Sequence, residues 1–302
     1  MSFLEILLDA GNAKERRKKQ ACAILIAVTA ILLVIAIIAF AICQVVDATA
    51  EKESEEETPQ EAPIDLGATV AKQLSEEAIY SGNLLTLNDN KHYKGEPEFI
   101  NIYENRNGAF LSIRQANRSK FEATADTVKN LCKMITACNE AISDDNLLVS
   151  NAYNTSEISS QKGIYSSGEA IALNYFNSES ETGESPIYEN ERYKWIYNNA
   201  HKYGFIAVSA NSNVFRYVGV MHATAAKANG LYLDNYLKQL KSATVETPMK
   251  LDAMGGYIAY TCPIANVVVP TNYSYEISGN NVDGVIVTVN LKSAASADAV
   301  IE

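Results

Sequence analysis

The sequence predicts an α+β protein carried on one membrane helix and closed by a small β module. Three observations predict it. Residues 21–46 are an uncharged apolar run, residues 121–142 repeat apolar side chains at helical spacing among strand-like stretches, and the chain beyond Lys241 turns rich in β-branched residues.

The run from Ala21 to Val46 reads ACAILIAVTAILLVIAIIAFAICQVV, with Thr29 and Gln44 as its polar interruptions. It exceeds the roughly 20 apolar residues that cross a hydrocarbon core and lacks the polar face of a soluble core helix. It is also too long for the apolar segment of about 7–15 residues in a cleaved signal peptide. Ile42 before Cys43 does not suit a lipoprotein signal. Lys14, Arg16, Arg17, Lys18 and Lys19 precede the run, whereas Asp47, Glu51, Glu53, Glu55, Glu56 and Glu57 follow it. Basic flanks stay on the cytoplasmic side. That places residues 1–20 inside, 21–46 in the cell membrane and the remainder outside. Residues 47–78 read as an acidic tether, whose stretch 51–63 contains Pro59 and Pro63 and lacks apolar periodicity.

The remaining chain is long enough for one substantial core plus a small module. A formal net charge of −11 gives a nucleic-acid role no electrostatic support. Cys22 and Cys43 lie in the apolar run and Cys262 stands alone. Cys132 and Cys138 sit about 9 Å apart along a helix, too far to bridge. The cysteines therefore give neither a disulfide framework nor a metal site.

Beyond that acidic stretch, residues 70–79 read as a short helix, 81–87 as a strand and 88–97 as a loop. Residues 121–142 form the clearest helix, with Val128, Leu131, Ile135, Cys138 and Ile142 on one face. Residues 147–150 read as a strand, 151–167 as irregular, and 168–176 as an apolar run of either type. Residues 191–203 read as a helix closed by Gly204, with Trp195 and Tyr203 in the core and Tyr188, Tyr193 and Tyr197 at the surface. Residues 205–208 and 214–220 read as strands, and 222–228 and 232–240 as helices. Residues 244–291 make the β module, with Asp283-Gly284 as a hairpin turn.

Five phrases recur together: SGNLLTLN (81–88), LVSNAY (148–153), GEAIALNYF (168–176), KWIYNNAHKYGF (194–205) and FRYVGVMHA (215–223). In that order they resemble the VanY-type D-alanyl-D-alanine carboxypeptidases, zinc peptidases that trim peptidoglycan stem peptides. The resemblance covers residues 81–240. YSYEISGNNVDGVIVTV (273–289) is similar to a β extension on some clostridial members. The resemblance implies a small antiparallel sheet flanked by helices in residues 79–243, ahead of the β module and tail in 244–302.

It also implies zinc held by two histidines and an aspartate, with a glutamate as general base. The pattern S-x-H-x-x-G-x-A-x-D, laid on Gly168 and Ala170, puts Tyr165 at the first histidine and Ala172 at the aspartate. W-H-x-R-Y-V-G puts Val214 at the second histidine, and the base falls on Asn211. The substrate-carboxylate arginine of S-G-Y-R-S falls on Tyr153 or Asn154. A shifted register does not help. Between residues 158 and 175 only Glu169 is a possible ligand, and between 206 and 220 there is no His, Cys, Asp or Glu. Tyr165, Ala172, Val214 and Asn211 are thus vestigial positions, and zinc is expected to be lost.

Tyr153, Asn154, Ser167, Glu169 and Arg216 remain as ligand-binding candidates, with Arg216 read either as a structural ion-pair residue or as a contact for an anion. His201 and His222 occupy positions that are not zinc ligands and read as structural, and His92 falls in a polar loop. Ser166-Ser167-Gly168 lacks the strand–elbow–helix pattern of a serine nucleophile. The expectation is a membrane-anchored, extracytoplasmic pseudo-carboxypeptidase that binds a peptidoglycan stem peptide or an envelope protein without hydrolysing it. Two alternatives stand beside it: a working peptidase with a rebuilt site, and an envelope scaffold.

Overall fold

The computed structural model describes residues 64–294 apart from 89–92, 96–97, 110, 158–161 and 253–255. The apolar run, the basic N-terminus, most of the tether and His92 lie outside the described residues. Among the described residues no helix is long and apolar enough to cross a membrane. The chain divides into units 1–62 and 63–302, and the described residues fall in the second.

In chain order the strands are β1 (Thr69–Lys72), β2 (Phe99–Asn101), β3 (Ser112–Ile113), β4 (Phe121–Thr124), β5 (Leu147–Asn151), β6 (Tyr153–Asn154), β7 (Ala170–Phe176), β8 (Glu184–Pro186), β9 (Phe205–Ala207), β10 (Val214–Tyr217), β11 (Met249–Lys250), β12 (Tyr257–Pro263), β13 (Val267–Pro270), β14 (Tyr273–Gly279) and β15 (Gly284–Ala294). The helices are α1 (Ala125–Ile142), α2 (Lys194–Asn199), α3 (Val220–Ala228) and α4 (Leu233–Ser242).

Helix α1 begins where Thr124 caps it by accepting from the Thr127 N–H, and ends at Ser143 in the left-handed region. Its apolar face, Val128, Leu131, Met134, Ile135 and Cys138, packs on the central sheet. That sheet has the order β3-β5-β7-β10-β9, with β8 added on β7, and every pairing but β3–β5 is antiparallel. Ile171, Leu173 and Phe215 point toward α1. Side chains alternate along a strand, so Ala170, Ala172, Val214 and Arg216 lie on the other face. Ile206 on that side joins Leu84, α3 and α4 in a second cluster.

The C-terminal sheet has the order β11-β12-β15-β14. Ile258, Tyr260, Val287 and Val289 pack with Val267 and Val269 of the β1–β13 ribbon. Ala259 and Ile286 join the cluster of Leu233, Tyr236, Leu237 and Leu240 from α4. Residues 81–86 run beside the end of β14, with the Thr86 N–H donating to the Asn280 carbonyl at 3.1 Å and the Leu84 N–H to Ser278 Oγ at 2.9 Å. A side chain on Gly279 would strike the Ile79 carbonyl, so this crossing requires glycine.

Several local expectations are corrected. Residues 69–72 pair with β13, and a 3-10 turn occupies Glu76–Tyr80 in place of the expected helix. The strand expected at 81–87 is irregular chain, bent at residues 82–83 and held by the bonds above. Residues 121–124 alternate buried and half-buried and pair with β2 and β6, so α1 starts four residues later than its periodicity suggests. Residues 170–176 resolve as strand β7, whose first four residues are buried on both faces and so carry no alternation. Tyr193 is buried, against the expected surface position, because its ring packs on Tyr175 and its hydroxyl donates to Asp144. Cys132, Cys138 and Cys262 are buried and free.

Candidate functional site

The antiparallel register of β7 on β10 sets Ala172 directly opposite Val214. On the other side of β7, Ala172 pairs with Asn151 of β5 across a bulge. Tyr165 ends a one-turn 3-10 helix that packs against β7, where the Asn151 side chain acts on its hydroxyl. Burial pushes that phenol up to about 12, so it is neutral at ordinary pH. Ala172 and Val214 therefore lie side by side with Asn151, and Tyr165 stands in the turn that packs on their strand. Asn211 does not join them: it sits exposed and left-handed, at φ 52°, in the tight 208–213 connection between β9 and β10.

These residues do not fit zinc. The metal takes deprotonated nitrogen, sulfur or oxygen ligands. Ala172 and Val214 offer only methyl groups, and Tyr165 a protonated phenol. Among the described residues no three His, Cys, Asp or Glu side chains gather as a ligand set. Asn211 carries an amide, which cannot serve as a general base.

Ser167, Glu169 and Arg216 do come together. Arg216 Nη2 donates to Glu169 Oε2 at 2.8 Å, Ser167 Oγ donates to the same oxygen at 3.0 Å, and Arg216 Nη1 donates to the Leu85 carbonyl at 2.7 Å. The guanidinium is 0% exposed and the carboxylate 8%. Burial pushes the Glu169 carboxyl up, while the guanidinium and the Ser167 hydroxyl pull it down. We take the pair as ionised, because among the described residues Arg216 has no other carboxylate to balance a fully buried charge. Tyr153 stacks on Phe99 with centroids 4.3 Å apart, and buried Asn154 lies opposite Phe121. Both belong to the small sheet β2-β4-β6, where Asn154 Oδ1 accepts from the Ser156 N–H at 2.9 Å.

Two cavities of about 410 and 640 Å3 share Asn83, Asp126, Tyr217, His222, Glu276 and Thr288 and so form one groove. It runs between the N-terminal ends of α1 and α3 and the face of β14 and β15, with Ser167 and Glu169 at one end. The groove is acidic. Asp126, Glu276 and Glu98 line it and make no ion pair with any described residue. The Tyr217 hydroxyl is pushed up by burial and by Asp126, Glu276 and Glu169. His222, on the inner wall, bridges elements: Nδ1 lies 2.7 Å from the Tyr236 hydroxyl and Nε2 lies 2.8 Å from Thr288 Oγ1. Burial holds it down to about 4. His201 lines a separate small cavity, with Phe215 and Lys227.

Of the groove residues, only Ser167 and Glu169 were among the expected site positions. Asn83, Tyr217 and His222 lie in family phrases and Glu276 and Thr288 in the phrase of the β extension, whereas Glu98 and Asp126 lie in none.

A depressed imidazole in the fold, against about 6.5 in an unfolded chain, means the unfolded state binds the proton more readily. Stability from neutral His222 is thus complete above about 6.5 and is lost as pH falls toward 4, by at most about 1.4 kcal/mol per pH unit. The full-length protein is expected to melt lower at pH 5 than at pH 7, with His222→Gln narrowing the gap. An unchanged gap in the variant would contradict the bridge.

No family model matches the chain. A curated D-alanyl-D-alanine carboxypeptidase of Enterococcus faecium is 28% identical over 250 residues, spanning 73% of this chain and 79% of that protein. Among solved structures, the vancomycin-resistance D,D-dipeptidase VanXYg, in complex with a D-Ala-D-Ala phosphinate analogue, aligns over 74% of this chain and 100% of its own. Its TM-score is 0.56 at 21% identity, a likeness of fold.

Proposed function

We propose, on the premise that this chain is a relative of the D-alanyl-D-alanine carboxypeptidases, that it binds a peptidoglycan stem peptide without hydrolysing it. The protein acts at the outer face of the cell membrane, held by residues 21–46 and the acidic tether, with its N-terminus cytoplasmic. The reading is supported chiefly by the register of Ala172 against Val214, with Tyr165 in the turn packed on β7. The ligand positions of the family meet in space, and their side chains bind no metal.

The acidic groove supplies the binding surface. Its carboxylates, which pair with no described residue, suit the ammonium and amide N–H groups of a peptide, and Tyr93, Tyr217, Tyr257 and Tyr275 line it with aromatic rings. The test is calorimetric titration of the full-length protein with a pentapeptide ending in D-Ala-D-Ala, with free D-alanine assayed in the same samples. We expect saturable one-site binding, weakened several-fold in Glu276→Lys at unchanged melting temperature, and no D-alanine above the buffer control. Flat heats would favour the envelope-scaffold reading, and D-alanine release above the control would favour a rebuilt peptidase site.

A further inference from the structure

The described residues contain five arginines, at 106, 114, 118, 192 and 216. Three are neutralised: Arg114 by Glu184 at 3.0 Å, Arg192 by Asp144 at 3.0 Å and Arg216 by Glu169 at 2.8 Å. The other two, Arg106 and Arg118, form no ion pair with any described residue, although acidic residues outnumber basic ones 36 to 25. Both sit against one aromatic ring. Their guanidinium carbons lie 3.7 and 4.6 Å from the Tyr103 ring centroid. Each also donates to a backbone carbonyl, Arg106 to Tyr103 at 3.4 Å and Arg118 to Ile113 at 3.2 Å.

Stacking and these single backbone bonds fix the two planar groups and leave most of their five N–H donors each unused. Holding like charges together is unfavourable unless something of opposite sign completes the cluster. Both arginines line a cavity of about 480 Å3, with Tyr103, Phe176, Asp145 and the backbone around Gly108. Phe176 is 44% exposed, a large apolar ring left in solvent at the rim. Asp145 reduces the lining's surplus to one positive charge, which suits a single compact anion and disfavours a polyanionic strand. The Tyr103 hydroxyl is held below its ordinary range by a hydrogen bond and charge from Arg106 and by the charge of Arg118, as expected beside a positive cluster.

We propose that Arg106 and Arg118 form a binding site for one carboxylate or phosphate group, carried by a small ligand whose apolar or aromatic body rests on Phe176. The site shares no lining residue with the acidic groove, so it is independent of the stem-peptide reading. Its position beside the edge strand β3 sets it on a separate part of the surface. Two guanidinium forks supply bidentate donors to an oxyanion, and the neighbouring ring supplies apolar contact.

The test is titration of the full-length protein at low salt with inorganic phosphate, phenylphosphate and phenylacetate. Saturable binding of one equivalent of a phenyl-bearing probe is expected, and the tighter of the two identifies the group as phosphate or carboxylate. Arg106→Gln and Arg118→Gln should each weaken that probe by about tenfold or more, while Lys129→Gln leaves it unchanged. Phe176→Ala should weaken the phenyl probes and leave inorganic phosphate as it was. Exposed Arg118 is the safer variant if Arg106→Gln lowers the melting temperature. Absence of saturable binding for all three probes, or binding indifferent to both arginine substitutions, would overturn the proposal.

Discussion

Glu169→Ala is expected to cost about 3–5 kcal/mol of folding stability, the range seen when one partner of a buried ion pair is removed. The substitution leaves Arg216, 0% exposed, with its charge uncompensated and its Nη2 without the Glu169 acceptor. At about 2–4 °C per kcal/mol for a domain of this size, the melting temperature should fall by roughly 6–20 °C. The double variant Glu169→Leu with Arg216→Met should recover much of the loss, because an apolar pair of similar volume can replace a buried ion pair. Recovery is incomplete, since the Leu85 carbonyl then loses the Arg216 donor. A single variant costing under about 1 kcal/mol, the range of an exposed pair, would show that the pair is not buried as described.

The second large effect is a gain. Tyr165→His, Ala172→Asp and Val214→His, combined, should convert a chain that takes up no stoichiometric zinc into one that holds about one ion per chain. The register supplies two of the three positions directly opposite one another, and Asn151 stands beside them as an outer-shell hydrogen-bonding group. Each single or double variant should bind far more weakly, because three protein ligands define the usual site. A triple variant that melts normally and stays zinc-free would mean that the aligned positions do not converge as a ligand set.

Much of the architecture was legible because its signals are local. The face of α1 followed from helical spacing at Val128, Leu131, Ile135 and Cys138, and the β14–β15 hairpin from Asp283-Gly284. What escaped depended on partners elsewhere. Residues 69–72 become a strand only because Val267–Pro270 lies beside them. Thr124 ends β4 and caps α1 in the same residue, so periodicity alone extended the helix backwards. The vestigial positions were legible through family phrases, and their meeting in space is a matter of strand register that spacing does not encode. The acidic groove was not legible: Asp126, Tyr217 and Glu276 are brought together by three different elements. The arginine pair on Tyr103 was hidden for the same reason, since 103, 106 and 118 follow no element's period.

The most direct measurement on the central claim is the zinc content of the natural full-length protein, purified with zinc present throughout and then passed through a metal-free column. The convergence of an alanine, a valine and a neutral tyrosine at the family's ligand positions predicts no stoichiometric zinc. One tightly retained zinc per chain would contradict it.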